Sequence, residues 1–204
     1  MRYAFALGIS ALLCLGSTAV LAAENNQTTL VLHAIETTFG ACDIPDPCPD
    51  PTVNVPLGAA IAAYVVARNY DNIAGVQTAF DWPGWPIAFQ LWDCQANQVI
   101  GTQPTAPGPT TGSISTAFDC ITGGDSAVIG RIHFAVVTAA GCMTQIESSF
   151  PFGTHVINCQ GVDDAIDPLG RGSICAPDGG YNACDPIVPV ENTTWGTIKS
   201  QFNR

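Results

Sequence analysis

The chain has 204 residues, 47% of them hydrophobic, and a formal net charge of −11 at pH 7 from seventeen acidic and six basic side chains. Nucleic acids and anionic membrane surfaces attract basic patches, so this acidic balance argues against both as partners. The length allows one domain with a substantial hydrophobic core.

The first residues have the three parts of a secretory signal peptide. Arg2 supplies the charged start, an apolar run covers residues 3–15, and small residues lead to a cleavage point after Ala23. A membrane anchor needs about 20 apolar residues, and the Gly-Ser-Thr of residues 16–18 interrupts the run too early. We therefore expect residues 1–23 to be removed on export. The mature protein would then be extracellular, periplasmic or attached to the cell surface, without membrane insertion.

Short β-rich segments alternate with turns along the mature chain. Apolar alternation and β propensity predict strands in these segments, although the second also has helical spacing. The predicted strands are TTLVLHAI (28–35), AAIAAYVVARNY (59–70), VQTAFDW (76–82), IAFQLWDC (87–94), SISTAFDC (113–120) and SAVIGRIHFAVV (126–137). A hairpin over residues 142–159 is expected to follow, with its turn at residues 150–153.

After Cys159 the composition changes to glycine, proline and aspartate with little periodicity. This predicts a loop-like tail over residues 161–204, with a short C-terminal helix that places Trp195 and Phe202 on one side. Residues 24–160 contain many short strands separated by turns. We therefore expect an all-β protein, a β-sandwich of the jelly-roll or immunoglobulin-like type with a disulfide-stapled tail.

Eight of the nine cysteines follow the leader, and an even number in an exported chain predicts disulfides. The sequence has no CxxC pair, which argues against a zinc site. Cys142 and Cys159 flank the expected hairpin, and Cys94 and Cys120 each follow an aspartate at a strand end. The expected pairs are therefore sequential: Cys42–Cys48, Cys94–Cys120, Cys142–Cys159 and Cys175–Cys184.

The sequence contains no nucleophile elbow, HExxH motif, P-loop or EF-hand loop. His33, His133 and His155 fall in different strands, which favours ordinary structural histidines over an acid–base site. The acidic segments 43–50 and 163–167 could offer oxygen ligands to calcium, but they lack a ligand alternation and favour solvated loops. We therefore predict no catalytic residue, no cofactor and no metal.

Three tryptophans fall within residues 82–92. Trp82 and Trp85 continue the inward parity of the neighbouring strands, so we expect them to cap one end of the core; a platform for stacking a sugar is the alternative. Trp92 lies on the opposite face, two residues before Cys94, and either covers a disulfide or stands exposed. If the cluster does bind a ligand, Trp85 and Trp92 are the candidate ligand-binding residues.

Three segments, VNVPLG (53–58), NIAGVQTAFDW (72–82) and VIGRIHFAVV (128–137), resemble in their order the features of bacterial cohesin domains. The resemblance covers about residues 53–137. It implies a jelly-roll sandwich that is non-catalytic, extracellular, and binds a protein partner or assembles at a cell surface. The expected disulfides depart from the usual cohesin pattern, and no dockerin-contacting residue can be placed.

These observations predict a secreted, non-catalytic β-sandwich module with a binding or structural role, whose partner is an extracellular protein or a glycan. A carbohydrate-binding module is one alternative, and it needs at least one exposed tryptophan of the three. A small secreted hydrolase is the other, and it needs an acid–base pair that folding brings together.

Overall fold

The computed structural model of the chain describes residues 25, 27–37, 40–92, 94–101, 113–149 and 153–184. The predicted leader and the predicted C-terminal helix lie outside these residues. Within them the strands are β1 (Thr29–Glu36), β2 (Ile61–Arg68), β3 (Asn72–Asp81), β4 (Ile87–Leu91), β5 (Ala96–Gly101), β6 (Ser113–Thr122), β7 (Ser126–Phe134), β8 (Gly141–Ile146), β9 (His155–Ile157), β10 (Asp163–Ala165) and β11 (Ser173–Ala176). A 3₁₀ helix, Pro168–Gly170, precedes β11.

The strands form two antiparallel sheets, which confirms the predicted all-β sandwich. The first sheet has the order β1-β2-β7-β4, and the second has the order β10-β9-β3-β6-β5, with β8 and β11 at its edge. Apolar side chains from both sheets form one buried cluster, in which Val65 and Ile132 of the first sheet join Phe80 and Ile114 of the second. The main core therefore lies between the sheets.

Strand β2 is buried on both of its faces. Val65 and its alternate neighbours belong to the main core, whereas Tyr64 and Val66 belong to a second buried cluster on the outer face of the first sheet. A strand with two buried faces reads as a continuous apolar run rather than an alternating one. This explains why its sequence suits a helix as well as a strand.

A disulfide-linked layer covers that outer face. We call it the stapled layer: residues 40–50 with Cys94 and Cys184, joined by the bonds Cys42–Cys94 and Cys48–Cys184. Ile44 packs partly buried against the outer cluster. Arg68 ties the layer to β2, because its Nη2 lies 2.9 Å from Asp46 Oδ2 and its Nη1 donates to the Cys184 carbonyl oxygen at 3.2 Å.

The edge of the second sheet is a long hairpin. One arm consists of β8 and β9, the other consists of β10 and β11, and each arm is interrupted between its two strands. Strand β8 pairs with residues 79–81 of β3 and β9 pairs with residues 75–77, so β8 and β9 lie along the same strand rather than against each other. Strand β10 pairs with β9, and β11 pairs with β8. The turn lies at residues 158–162, where Asn158 Oδ1 accepts the amide hydrogen of Val162 at 2.8 Å. We call residues 141–176 the split hairpin.

The split hairpin corrects two expectations. The prediction of a hairpin over residues 142–159 is wrong, because β8 and β9 both pair with β3 and not with each other. Residues 150–152 of its predicted turn lie outside the described residues. The prediction of a loop-like tail after residue 160 is also wrong for residues 163–165 and 173–176, which form β10 and β11 in the second sheet. The predicted boundary at residue 160 therefore divides a single sheet.

All four predicted disulfide pairs are wrong. Cys142 lies opposite Cys175 in the β8–β11 register, with their Cα atoms 4.0 Å apart, while Cys159 lies beyond the far end of the interrupted arm and bonds to Cys120 of β6. Sequence neighbours such as Cys42 and Cys48 belong to the same loop but reach different partners. The observed pairs are Cys42–Cys94, Cys48–Cys184, Cys120–Cys159 and Cys142–Cys175.

Strand β7 needs a glycine where it passes Trp92. A Cβ atom on Gly130 would lie 2.6 Å from Trp92 Cε3 and 2.8 Å from the Leu91 carbonyl oxygen, both too close for a side chain. The register with β2 shifts at this point, which puts Ile129 in the main core and Val128 in the outer cluster. A β-bulge therefore inverts the alternation of side chains along β7 at this point.

Candidate functional site

Trp82 and Trp85 cap one end of the core, as predicted. Their side chains are 3% and 1% exposed, and both rings pack against Phe134. Trp82 Nε1 donates to the Trp85 carbonyl oxygen at 3.2 Å, and Trp85 Nε1 donates to the Ala139 carbonyl oxygen at 2.8 Å. The prediction that Trp85 contacts a ligand is wrong, because its ring offers no surface to solvent.

Trp92 is also a core residue. It is 2% exposed, its ring centroid lies 5.7 Å from that of Phe80, and its Nε1 donates to Gln90 Oε1 at 3.1 Å. The chain turns inward after β4, so Trp92 fills the space that Gly130 leaves open. The prediction that Trp92 binds a ligand is therefore wrong. The carbohydrate-binding alternative required an exposed tryptophan among these three, and all three are buried.

The three histidines lie on three different strands, and each has its own surroundings. His33 Nδ1 of β1 accepts the Thr52 amide hydrogen at 3.0 Å. His155 Nε2 of β9 lies 3.6 Å from Asp163 Oδ1. His133 of β7 stacks on Phe89, with ring centroids 4.0 Å apart.

His133 and Arg131 lie on the outer face of the first sheet, where Cys42 and Cys94 of the stapled layer contact Arg131 and the ring of Phe89 stacks on His133. His133 is 1% exposed, and neither ring nitrogen has a hydrogen-bond partner in the part of the chain that the structure describes. Arg131 is 8% exposed, and its Nη1 donates to Cys42 Sγ at 2.7 Å and to Cys94 Sγ at 3.1 Å. Burial, and then the charge of Arg131, lower the pKa of His133 below its ordinary value.

This lowered pKa makes stability depend on pH. The folded protein holds His133 neutral, so its contribution is complete above the unfolded pKa of about 6.5 and is lost as the pH falls from there toward the folded value. We expect the His133→Phe variant, which keeps an aromatic ring over Phe89, to lose less stability than the wild type between pH 7.5 and 5. Urea denaturation at both pH values measures the difference.

The His133→Phe variant should keep part of the pH dependence. Burial also lowers the pKa of His33, against the opposing charge of Asp50, so His33 contributes in the same direction. An equal loss of stability in the variant and the wild type would show that His133 is not held neutral.

The split hairpin contains a cleft of about 540 Å³, beside the described residues that follow β8 and precede β11. These two excursions, residues 147–149 with 153–154 and residues 166–172, are joined by a hydrogen bond from the Ile166 amide to the Thr154 carbonyl oxygen at 3.0 Å. The lining residues are Glu147, Asp164, Ala165, Ile166, Asp167, Pro168 and Arg171. We call this cavity the acidic cleft.

Glu147 and Arg171 form one wall of the acidic cleft. Their charged groups, Glu147 Oε2 and Arg171 Nη2, lie 2.6 Å apart, and the same nitrogen donates to the Ile166 carbonyl oxygen at 2.8 Å. Burial raises the pKa of Glu147, but the Thr154 amide, the Arg171 guanidinium and the charge of His155 together outweigh it and hold the pKa below its ordinary value. Glu147 is therefore a carboxylate at neutral pH.

Asp164 and Asp167 supply the other two carboxyl groups. Asp164 is 2% exposed; its Oδ2 accepts the Asn25 amide hydrogen at 3.1 Å, and its Oδ1 has no hydrogen-bond partner among the described residues. Asp167 Oδ1 accepts the Leu169 amide hydrogen at 2.8 Å and so caps the 3₁₀ helix. Three acidic residues and one arginine thus line the acidic cleft.

The acidic segment 163–167 was recognised in the sequence as a possible source of ligand oxygens, but Glu147 and Arg171 were not recognised. These two residues are far from each other in the sequence, and only the pairing of β8 with β11 brings their excursions together. In the described ranges, no group of three or more histidine, cysteine, aspartate or glutamate side chains is arranged to hold a metal ion.

No helix of the described residues is long and apolar enough to span a membrane. The four disulfides indicate an oxidising compartment such as the extracellular space. Comparisons of the chain with protein-family models, with curated proteins and with solved structures found no match.

Proposed function

We propose that the protein is exported and works outside the cell as a non-catalytic binding module, and that its acidic cleft binds a cationic group of an extracellular protein. The ligand group would be a lysine or arginine side chain of the partner. The cohesin-like order of segments over residues 53–137 supports a role in protein binding. The acidic residues that line the cleft support a cationic ligand group.

The buried carboxyl group of Asp164 is the observation that carries this proposal. A buried carboxylate costs free energy unless a hydrogen bond or a cation compensates it. Asn25 satisfies one oxygen, and Oδ1 has no partner among the described residues. Because Arg171 is already paired with Glu147, Asp164 and Asp167 are the acidic lining residues left for a cation from outside. The exposed ring of Pro168 suits the methylene stem of a lysine.

Titration with a blocked amino acid tests the proposal without a known partner. The probe is Nα-acetyl-lysine-N-methylamide, and its control is the norleucine analogue, which has an apolar side chain without the amine. We expect the lysine probe to shift the backbone amide resonances of Ala165, Asp167 and Arg171 in a ¹⁵N-resolved spectrum. The norleucine probe should leave them unchanged, and added salt should weaken the effect.

Two charge-matched variants locate the binding. Asp167→Asn removes one cleft charge but keeps an oxygen that can accept the Leu169 amide hydrogen. Asp178→Asn removes an exposed carboxylate that does not line the cleft. We expect the first variant to weaken lysine binding several-fold and the second to leave it unchanged. Equal binding of norleucine, or equal weakening by both variants, would refute a cation site in the cleft.

A further inference from the structure

We propose that Cys42–Cys94 is a reducible disulfide that a dithiol reductant opens in the folded protein, releasing the stapled layer from Tyr64 and Arg131. This site lies on the first sheet, away from the acidic cleft of the second. Reduction of this disulfide is therefore independent of the proposed binding function.

Arg131 lies against the sulfur atoms of this disulfide. Its Nη1 lies within 3.1 Å of both sulfur atoms, and the guanidinium is 8% exposed. A cation next to a cysteine favours the thiolate, and low solvent exposure strengthens the attraction. Both cysteines are half-buried rather than fully buried, so a small thiol can reach them.

The reaction is a thiol–disulfide exchange. A thiolate of the reductant attacks one sulfur of Cys42–Cys94, and the electron pair of the breaking S–S bond goes to the other sulfur, which leaves as a thiolate beside Arg131. The second thiol of the reductant then displaces the first cysteine from the mixed disulfide. The protein disulfide gains two electrons and two protons, and the dithiol is oxidised to a disulfide. A stabilised leaving thiolate makes the exchange faster.

Opening this bond changes what the first sheet presents to solvent. Residues 40–50 would remain attached through Cys48–Cys184, but the part of the layer next to Arg131 would be free to lift. Tyr64, which is 1% exposed in the oxidised protein, lies under this layer, because a Cβ atom on Gly40 would clash with the Tyr64 hydroxyl. Reduction would therefore uncover a surface with the positive charge of Arg131 and the phenol ring of Tyr64.

The disulfide Cys120–Cys159 is a control within the same molecule. Cys120 is exposed and Cys159 is half-buried, so accessibility alone predicts that this bond opens first. The acidic residue Asp119 precedes Cys120 in the sequence, in contrast to the cation beside Cys42–Cys94. The order in which the two bonds open therefore separates the effect of charge from that of exposure.

The experiment treats the folded, fully oxidised protein with limiting dithiothreitol, blocks free thiols with N-ethylmaleimide at intervals, and maps the labelled peptides. We expect Cys42 and Cys94 to be labelled about tenfold faster than Cys120 and Cys159, because Arg131 stabilises the leaving thiolate. Arg131→Met should remove this advantage, and Arg131→Lys should restore most of it. If Arg131→Met does not fold, the comparison within the wild type still decides the matter.

A second readout reports the uncovering of the sheet. Tetranitromethane, applied after free thiols have been blocked with N-ethylmaleimide, should nitrate Tyr64 once Cys42–Cys94 has been reduced and not before. Earlier or equal labelling of Cys120 and Cys159 would overturn the role of Arg131. Continued protection of Tyr64 once Cys42 and Cys94 are fully labelled would overturn the release of the stapled layer.

Discussion

Replacing Trp85 with alanine is expected to lower the free energy of unfolding by about 3–5 kcal/mol, the usual range for a fully buried large aromatic side chain. The indole ring is 1% exposed and lies 5.4 Å from the ring of Phe134 in an edge-to-face arrangement. The substitution also leaves the Ala139 carbonyl oxygen without the donor that it has at 2.8 Å. Urea denaturation with the disulfides intact measures the loss.

Two control variants separate packing from hydrogen bonding at this position. Trp85→Phe keeps an aromatic ring near Phe134 but removes the N–H donor, so we expect a smaller loss. Leu57→Ala alters a side chain that is 54% exposed, and its effect should stay within about 0.5 kcal/mol. A loss for Trp85→Ala no larger than that for Leu57→Ala would show that Trp85 does not cap the core.

Removing the Cys48–Cys184 bond is the second change for which we expect a large effect. The double variant Cys48→Ser/Cys184→Ser should lose about 2–5 kcal/mol, as is typical for a native disulfide. This bond closes a loop with a sequence separation of 136, so its removal frees much conformational entropy in the unfolded chain. Cys184 also belongs to the outer apolar cluster, so the substitution weakens packing against β2 as well.

The double variant Cys120→Ser/Cys159→Ser provides the comparison. Its loop has a sequence separation of 39, and the loop-length dependence alone makes its loss about 1 kcal/mol smaller. Thermal denaturation of both variants at the same pH tests this order. A larger loss for the Cys120–Cys159 variant would show that strain or local packing, rather than loop length, governs these bonds.

Local pattern predicted the parts of the fold that local interactions determine. The alternation from Val76 to Trp82 correctly predicted a strand with Phe80 and Trp82 directed into the core. The same parity correctly assigned Trp85 to the cap. Strand β5 was not predicted, because its sequence ANQVIG has few β-branched residues and it is held in place by pairing with β6.

Features that depend on contacts between distant residues could not be predicted from the sequence. The bulge at Ile129 exists because Trp92, on another strand, occupies the space beside Gly130. The split hairpin brings Glu147 to Arg171 through the pairing of β8 with β11, which no local period reveals. Trp92 was placed on the outer face by strict alternation, although the end of β4 at Leu91 lets it turn inward.

The disulfide pattern has a consequence for how the chain reaches this structure as it enters an oxidising compartment. None of the four bonds joins two cysteines that follow each other directly among the eight. The partner of Cys48 lies 136 positions later in the chain. Short loops close at a lower entropic cost, so neighbours such as Cys42 and Cys48 meet first while the rest of the chain is still arriving. Productive oxidation therefore requires early bonds to be exchanged for later ones, and the yield of native protein depends on a thiol catalyst or a glutathione buffer as much as on the stability of the final sheets.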